Sequence, residues 1–133
     1  IEWDYANLQS NIILNKDEID LRYIINKSKV IITSRATSTV GWCIYASKPL
    51  IYIENKDNRL NDKIRAIFKK SLFYFDVYET DWKDDLKKLL SKNIIKIEED
   101  WNKMEKNREE YLYPYFDDSC NNAHESCVKT LIN

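Results

Sequence analysis

The chain has 133 residues, 44% of them hydrophobic and 13% aromatic, which suits one folded domain and excludes a disordered chain. Its 21 basic and 22 acidic residues are interspersed and give a formal net charge of −1. This balance excludes a broad basic field for nucleic acid or an anionic membrane, and is compatible only with a local basic site.

Apolar runs and turn signals divide the chain into strands and helices. Four short runs rich in Ile, Leu, Tyr and Phe predict strands at residues 12–14, 30–33, 50–53 and 72–75. The remaining apolar residues have helical spacing and predict helices at residues 17–28, 37–47, 60–70, 81–90, 97–113 (a charged helix that ends before Pro114) and 121–132. No run of about 18 apolar residues occurs, so no transmembrane segment is predicted.

Strands and helices alternate from residue 12 to residue 90, which predicts an α/β fold. We expect a Rossmann-like parallel sheet of about four strands flanked by helices, ending in two C-terminal helices. Residues 1–133 would form one domain. Because the chain begins with Ile1 rather than Met, we expect it to be a fragment of a longer two-domain protein.

The segment after the strand at 30–33 is the first candidate site. It carries Arg35, Thr37, Ser38 and Thr39 at the start of the next predicted helix. Free N–H groups at a helix N-terminus favour an anion, and a guanidinium matches a phosphate, so the segment predicts a phosphate site. Ordinary capping of the helix by the same hydroxyls is the alternative interpretation.

Residues 54–61 and 76–81 also follow predicted strands, so they should lie at the same edge of the sheet as the first candidate site. Ligands of parallel sheets bind at this edge, beyond the carboxyl ends of the strands. The first of these segments supplies Glu54 and Arg59, which suit sugar hydroxyls and a phosphate, although a solvated loop explains it equally well. With one histidine, His124, and no cysteine cluster, no metal site is predicted. No GxSxG, P-loop or GxGxxG motif occurs, which weakens hydrolase, NTPase and dinucleotide-binding interpretations, and no cofactor is expected.

Several residues together resemble the donor-binding C-terminal half of GT-B glycosyltransferases, and are most similar to the bacterial enzymes of surface and capsular polysaccharide biosynthesis. Polyol-phosphate transferases and UDP-N-acetylglucosamine 2-epimerases are related to these enzymes. The resembling residues are Ile31-Ile32-Thr33, Thr37-Ser38-Thr39-Val40-Gly41, Ser47-Lys48-Pro49 before a strand (where the family has Gly-Lys-Pro), and the tail from Phe116 to Ile132.

The resemblance implies that the chain binds a nucleotide-sugar donor, with Ser38 and Thr39 at the donor phosphates. Four positions after Ser38, many family members have a glutamate that holds the ribose, whereas this chain has Trp42. Trp42, Glu54 and Arg59 are therefore the candidate contacts for ribose or sugar. The glycan acceptor and the catalytic base would belong to a missing N-terminal domain, so the catalytic residues remain unassigned.

The predicted location is the cytoplasm, since three cysteines without a CxxC pair are typical of a reducing compartment. Attachment to the periphery of the inner membrane would come through the missing part. No nucleic-acid partner is expected. A non-catalytic α/β interaction domain, in which the Ser/Thr cluster only caps a helix, remains the alternative of a different class.

Overall fold

The structure, a computed structural model, describes residues 27–35 and 38–120. For residues 38, 39 and 117–120 it describes the backbone only. Strands and helices alternate through most of this part of the chain. In order they are β1 (Ile31–Thr33), α1 (Ser38–Tyr45), β2 (Leu50–Glu54), α2 (Asp62–Ser71), β3 (Phe73–Asp76), α3 (Trp82–Ser91), α4 (Ile94–Asn102), α5 (Glu105–Asn107), a π-helix (Arg108–Leu112) and α6 (Tyr113–Cys120).

The three strands form a parallel sheet in the order β1-β2-β3. In its register Thr33 lies opposite Tyr52, and Tyr52 opposite Tyr74. Strand β2 is central, and burial on both faces explains its nearly unbroken apolar sequence. The predicted α/β fold with a helix-flanked parallel sheet is confirmed. The predicted strand at 12–14 and the last helix at 121–132 lie outside the described residues.

Alternate side chains of β2 pack into two apolar clusters on opposite faces of the sheet. Leu50 and Tyr52 contact α1, α2 and α6, and Phe68 of α2 meets the Tyr52 ring edge-on at 5.1 Å. Ile51 faces the other way and packs against Leu89 of α3 and Ile97 of α4. Both faces of the sheet are therefore covered by helices. None of the described helices is long and apolar enough to cross a membrane.

The turn between α1 and β2 depends on one residue with left-handed backbone geometry. Ser47 has a φ of 57°, a conformation that costs an ordinary side chain free energy and that glycine adopts freely. Glycine is the residue that most often ends a helix in this way. The position is also the one at which the resembling family has the glycine of Gly-Lys-Pro.

Replacing Ser47 with glycine should therefore raise the free energy of unfolding by about 0.5–1 kcal/mol. Urea unfolding followed by tryptophan fluorescence would measure the change. Ser91→Gly is the matched control, because Ser91 lies in the right-handed last turn of α3. There the same substitution should lower stability by about 0.5–1 kcal/mol. Equal effects of the two substitutions would contradict the left-handed assignment.

The predicted single helix at 97–113 is wrong in both its extent and its end. Helix α4 already begins at Ile94, because Asn93 caps it by accepting a hydrogen bond from the N–H of Lys96 (2.9 Å). The chain then breaks, reforms as α5 and passes through the π-helix, in which the N–H of Tyr113 donates to the carbonyl of Arg108.

Pro114 does not end the helical region. It is the second residue of α6, in the first turn, where a missing N–H costs little. The wide turn before it lets the chain continue through a residue that would otherwise stop a regular helix.

Candidate functional site at the carboxyl edge of the sheet

The loops after β1 and β2 lie side by side at the carboxyl edge. The Asn55 side chain donates from Nδ2 to the carbonyl oxygen of Ser34 at 2.5 Å. Its Oδ1 accepts from the N–H groups of Asp57 (3.0 Å) and Asn58 (2.8 Å), which folds the second loop into a turn. A single asparagine thus fixes the start of the first loop against the second.

Helix α1 begins at this edge with Ser38, so its first N–H groups have no partners within the helix. Arg35 precedes it and is exposed to solvent. Thr37 lies outside the described residues. The backbone at 38 and 39 is the first turn of α1, and Trp42 lies half-buried farther along the same helix. The strand-to-helix junction predicted from the sequence is therefore present.

Glu54, the last residue of β2, is turned into the protein and has no exposed side-chain surface. Arg65 of α2 donates to it from Nε (2.9 Å) and Nη2 (2.9 Å), and the Tyr74 hydroxyl donates at 2.6 Å. The N–H of Leu60 also donates to it, at 3.3 Å, and Arg59 Nε lies 2.8 Å from the carboxylate.

The environment keeps Glu54 ionised. Burial alone would raise its pKa, but the hydrogen bonds from Arg65 and Tyr74 and the charges of Arg65 and Arg59 outweigh burial and lower the pKa. The Arg65 pKa is correspondingly raised, chiefly by its hydrogen bond to Glu54. Burial and the hydrogen bond to Glu54 raise the Tyr74 pKa, so this phenol stays protonated and donates.

Arg59 connects Glu54 to Asp76, the last residue of β3. Its Nη1 and Nη2 donate to the two Asp76 oxygens, both at 2.8 Å, in the bidentate geometry that suits a guanidinium and a carboxylate. These hydrogen bonds lower the Asp76 pKa to about 2. The outer face of the guanidinium lies 4.7 Å from the centre of the exposed Tyr78 ring. Arg59 remains 30% exposed, so part of it reaches the surface of this edge.

The hydroxyl of Tyr52 lies below this network and has no hydrogen-bond partner, although it is fully buried. Burial first, and the charge of Glu54 second, raise the Tyr52 pKa, so the phenol is neutral. Burying a hydroxyl without a partner costs free energy. The carboxyl edge therefore contains one polar group that the fold leaves unsatisfied.

The predicted site residues are brought to one edge but do not all face it. Arg35 and Arg59 reach the surface there, whereas the Glu54 carboxylate is buried and engaged by protein groups. Sequence reasoning missed Arg65 and Tyr74, and included Asp76 only as part of the segment 76–81. A glutamate at the end of an apolar, buried strand requires a cationic partner, and that requirement was the signal that could have identified an arginine in the following helix.

The described residues include no group of three or more His, Cys, Asp or Glu side chains arranged to hold a metal ion. No family model matches the chain, and no curated protein or solved structure is significantly similar to it. A functional proposal therefore depends on the geometry of the carboxyl edge and on the resemblance in the sequence.

Proposed function

We propose that the chain is the donor-binding domain of a GT-B-type glycosyltransferase of bacterial surface polysaccharide biosynthesis. It would bind the diphosphate of a nucleotide-sugar at the carboxyl edge of the sheet. Arg35, Thr37, Ser38 and Thr39 would contact the phosphates. The acceptor glycan and the catalytic base would come from a separate N-terminal domain.

The observation that carries the proposal is the hydrogen bond between Asn55 and Ser34, which joins the loop leading into α1 to the loop that bears Arg59. An anion at the start of α1 would meet free N–H groups and would have Arg35 nearby. Arg59 lies in the adjacent loop with part of its guanidinium exposed. A diphosphate with an attached sugar could contact both neighbouring loops, whereas a single small anion would contact only one of them.

The chemistry expected of this edge is electrostatic. When the glycosidic bond breaks, negative charge develops on the diphosphate, and hydroxyl and N–H donors already in place would stabilise it. Ribose or sugar contacts would come from Trp42 or from the exposed part of Arg59. Glu54 could contribute only if its bonds to Arg65 and Tyr74 opened, so we base the proposal on the other residues. The left-handed backbone at Ser47 supports the resemblance, since it is the conformation for which the family's glycine is suited.

The proposal is tested by titrating the chain with UDP, UDP-N-acetylglucosamine and a CMP-linked sugar, followed by NMR chemical shifts. Half of the binding cleft is expected to be missing, so we expect weak binding, with a Kd of roughly 1 mM. The double variant Ser38→Ala/Thr39→Ala should weaken binding about tenfold or more, because each lost hydrogen bond to a charged group is worth about 1.5–3 kcal/mol.

Ser91→Ala is the control, since it removes a hydroxyl at the end of α3, which is remote from the proposed site. This variant should bind as the original chain does. Absence of any nucleotide binding by the full-length protein would contradict the proposal. Unchanged binding in the Ser38→Ala/Thr39→Ala variant would contradict the phosphate assignment.

One observation favours a second candidate, a non-catalytic α/β interaction domain. Glu54 is paired with Arg65 and Asp76 is paired with Arg59, as they would be in a purely structural network. In that case the first turn of α1 needs no ligand, and the titration should show no nucleotide binding. A polyol-phosphate transferase or a 2-epimerase would bind its nucleotide in the same way as a glycosyltransferase. The acceptor would distinguish these enzymes from one another.

A further inference from the structure

Lysines gather at the amino edge of the sheet, opposite the proposed donor site. In the described part of the chain, the segments that enter the strands, at 27–30, 46–49 and 69–72, contain lysines and no acidic residue. Three of these lysines, Lys27, Lys29 and Lys48, line a cavity of about 410 Å³ together with Trp101 and Glu98 of α4. The cavity places α4 at the same edge.

The junction of α3 and α4 extends this basic edge. Residues 86–97, which we call the lysine tip, contain Lys87, Lys88, Lys92 and Lys96 and no acidic residue. Leu89 and Ile97 of the tip pack beneath Ile51, near the start of β2, so the tip lies at the amino half of the sheet. The polarity of the parallel sheet thus brings the tip close to the strand-entry lysines.

Two aliphatic side chains of the lysine tip face solvent. Leu90 is 39% exposed and Ile95 is 65% exposed, although their sequence neighbours Leu89 and Ile97 are buried. Single exposed apolar residues are common, but here two large ones flank the turn between α3 and α4 and are surrounded by lysines. The lysine tip therefore presents two exposed aliphatic side chains together with several lysines.

The acidic residues next to the tip do not cancel its charge. Asp100 is shared by three lysines, at 3.0 Å from Lys92, 3.4 Å from Lys103 and 3.7 Å from Lys96. Glu99 lies 3.6 Å from Lys96. With Glu98 of the same helix, three carboxylates stand against five lysines, so the surface keeps a positive excess; the lysines are Lys87, Lys88, Lys92, Lys96 and Lys103.

Favourable interactions with helix dipoles explain the positions of only some of these lysines. Lysines in the last turns of α2 and α3, such as Lys70 and Lys88, lie where a helix C-terminus favours a cation. That argument does not apply to Lys29 beside β1 or to Lys96 in the first turn of α4, whereas Lys48 is held by its hydrogen bond to the carbonyl of Ser28 (2.6 Å). It also gives no reason for exposing Leu90 and Ile95. A surface that binds an apolar and anionic partner accounts for the exposed aliphatic side chains and the excess of lysines together.

We propose that the lysine tip and the neighbouring amino edge dock onto an anionic lipid bilayer. The lysines would pair with lipid phosphates, while Leu90 and Ile95 enter the boundary between headgroups and acyl chains. The cations are lysines, whereas Arg108, in the nearby π-helix, is buried. Nucleic-acid sites favour arginines that contact bases and phosphates in a bidentate way, and exposed aliphatic side chains add nothing to such binding.

This inference is independent of the proposed nucleotide-sugar site, because the residues involved lie at opposite edges of the sheet. It also agrees with the net charge of −1, since several acidic residues of the described part of the chain lie at the other edge. Asp62 begins α2 there, and Asp84 and Asp85 lie in the first turn of α3. The chain as a whole is nearly neutral while one end of it is basic.

The test is flotation of the chain with vesicles of phosphatidylglycerol and phosphatidylcholine in equal parts, compared with vesicles of phosphatidylcholine alone. We expect binding to the anionic vesicles only. This binding should be lost in roughly 0.5 M salt, because salt screens the charges. Lys88→Gln/Lys96→Gln should weaken binding about 25-fold, at about fivefold per lysine. Leu90→Ser/Ile95→Ser should weaken it about tenfold or more, because two apolar side chains no longer leave water.

Lys63→Gln/Lys83→Gln is the matched control. Both residues lie in the first turns of helices at the carboxyl edge, and this variant should bind vesicles as the original chain does. Circular dichroism would verify that every variant is folded. Equal binding to both kinds of vesicle, or equal weakening by the control, would overturn the proposal. Binding to single-stranded RNA or poly-glutamate without binding to vesicles would also overturn it, and would assign the surface to another polyanion.

Discussion

Replacing Glu54 with alanine should lower the free energy of unfolding by about 3–5 kcal/mol, the cost of breaking a buried ion pair by removing one partner. The carboxylate is fully buried and accepts hydrogen bonds from Arg65, Tyr74 and the N–H of Leu60. Without it, Arg59, Arg65 and Tyr74 each lose one acceptor, and the space left by the carboxylate lies in the interior. Urea unfolding at pH 7, followed by tryptophan fluorescence, would measure the loss.

Asp62→Ala is the matched control, because Asp62 pairs with the same arginine at 2.7 Å but its side chain is 98% exposed. That variant should change stability by less than about 0.5 kcal/mol, as surface ion pairs do. If Glu54→Ala cost no more than Asp62→Ala, the network would not contribute to stability in the way described here.

Replacing Asp76 with asparagine should lower the free energy of unfolding by about 2 kcal/mol at pH 7, and this difference should vanish in acid. The hydrogen bonds from Arg59 lower the Asp76 pKa from 3.8 to about 2 in the folded protein. A lowered pKa stabilises the fold above the unfolded value, and the contribution is lost as pH falls through the folded value. The difference between the two proteins should therefore be constant above pH 5, roughly, and shrink between about pH 4 and about pH 2.

The measurement is the unfolding free energy of both proteins at a series of pH values. Asp57→Asn provides the control, since Asp57 is exposed in the loop after β2. Its substitution should leave the acid part of the stability curve unchanged. A difference for Asp76→Asn that stays constant down to pH 2, roughly, would contradict the Arg59–Asp76 pairing.

The strands and the two helices between them could be predicted from the sequence, because burial in a parallel sheet leaves a direct pattern. The runs at 30–33, 50–53 and 72–75 correspond to β1, β2 and β3 within one residue at each end. The helix predicted at 60–70 corresponds to α2, which Asn61 caps by accepting from the N–H of Ile64 at 2.9 Å. Residues close together in the sequence determine these strands and this helix, so patterns in the local sequence identify them.

Which of the charged residues are buried and pair with one another inside the candidate site could not be predicted from the sequence. Glu54, Arg59 and Asp57 look alike as charged residues of one segment, yet the first is buried and the last is exposed. What separates them is the position of Glu54 as the final residue of β2, opposite Asp76 of β3. This pairing depends on the sheet register, and the register depends on contacts between residues distant in the chain.

The π-helix is reflected in the spacing of the buried residues in and after it. Arg108, Leu112 and Phe116 are all buried and lie four residues apart. In a regular helix each step of four residues turns about 40° past a full circle, so such a series would wind away from the core. The wide turn spans the step from Arg108 to Leu112, takes up the excess there and keeps these two residues on one side. Buried residues that repeat strictly every fourth position, as these three do on either side of Pro114, are thus the sequence sign of one surplus residue. In an alignment with a relative whose helix is regular, a one-residue gap would be expected between Arg108 and Leu112.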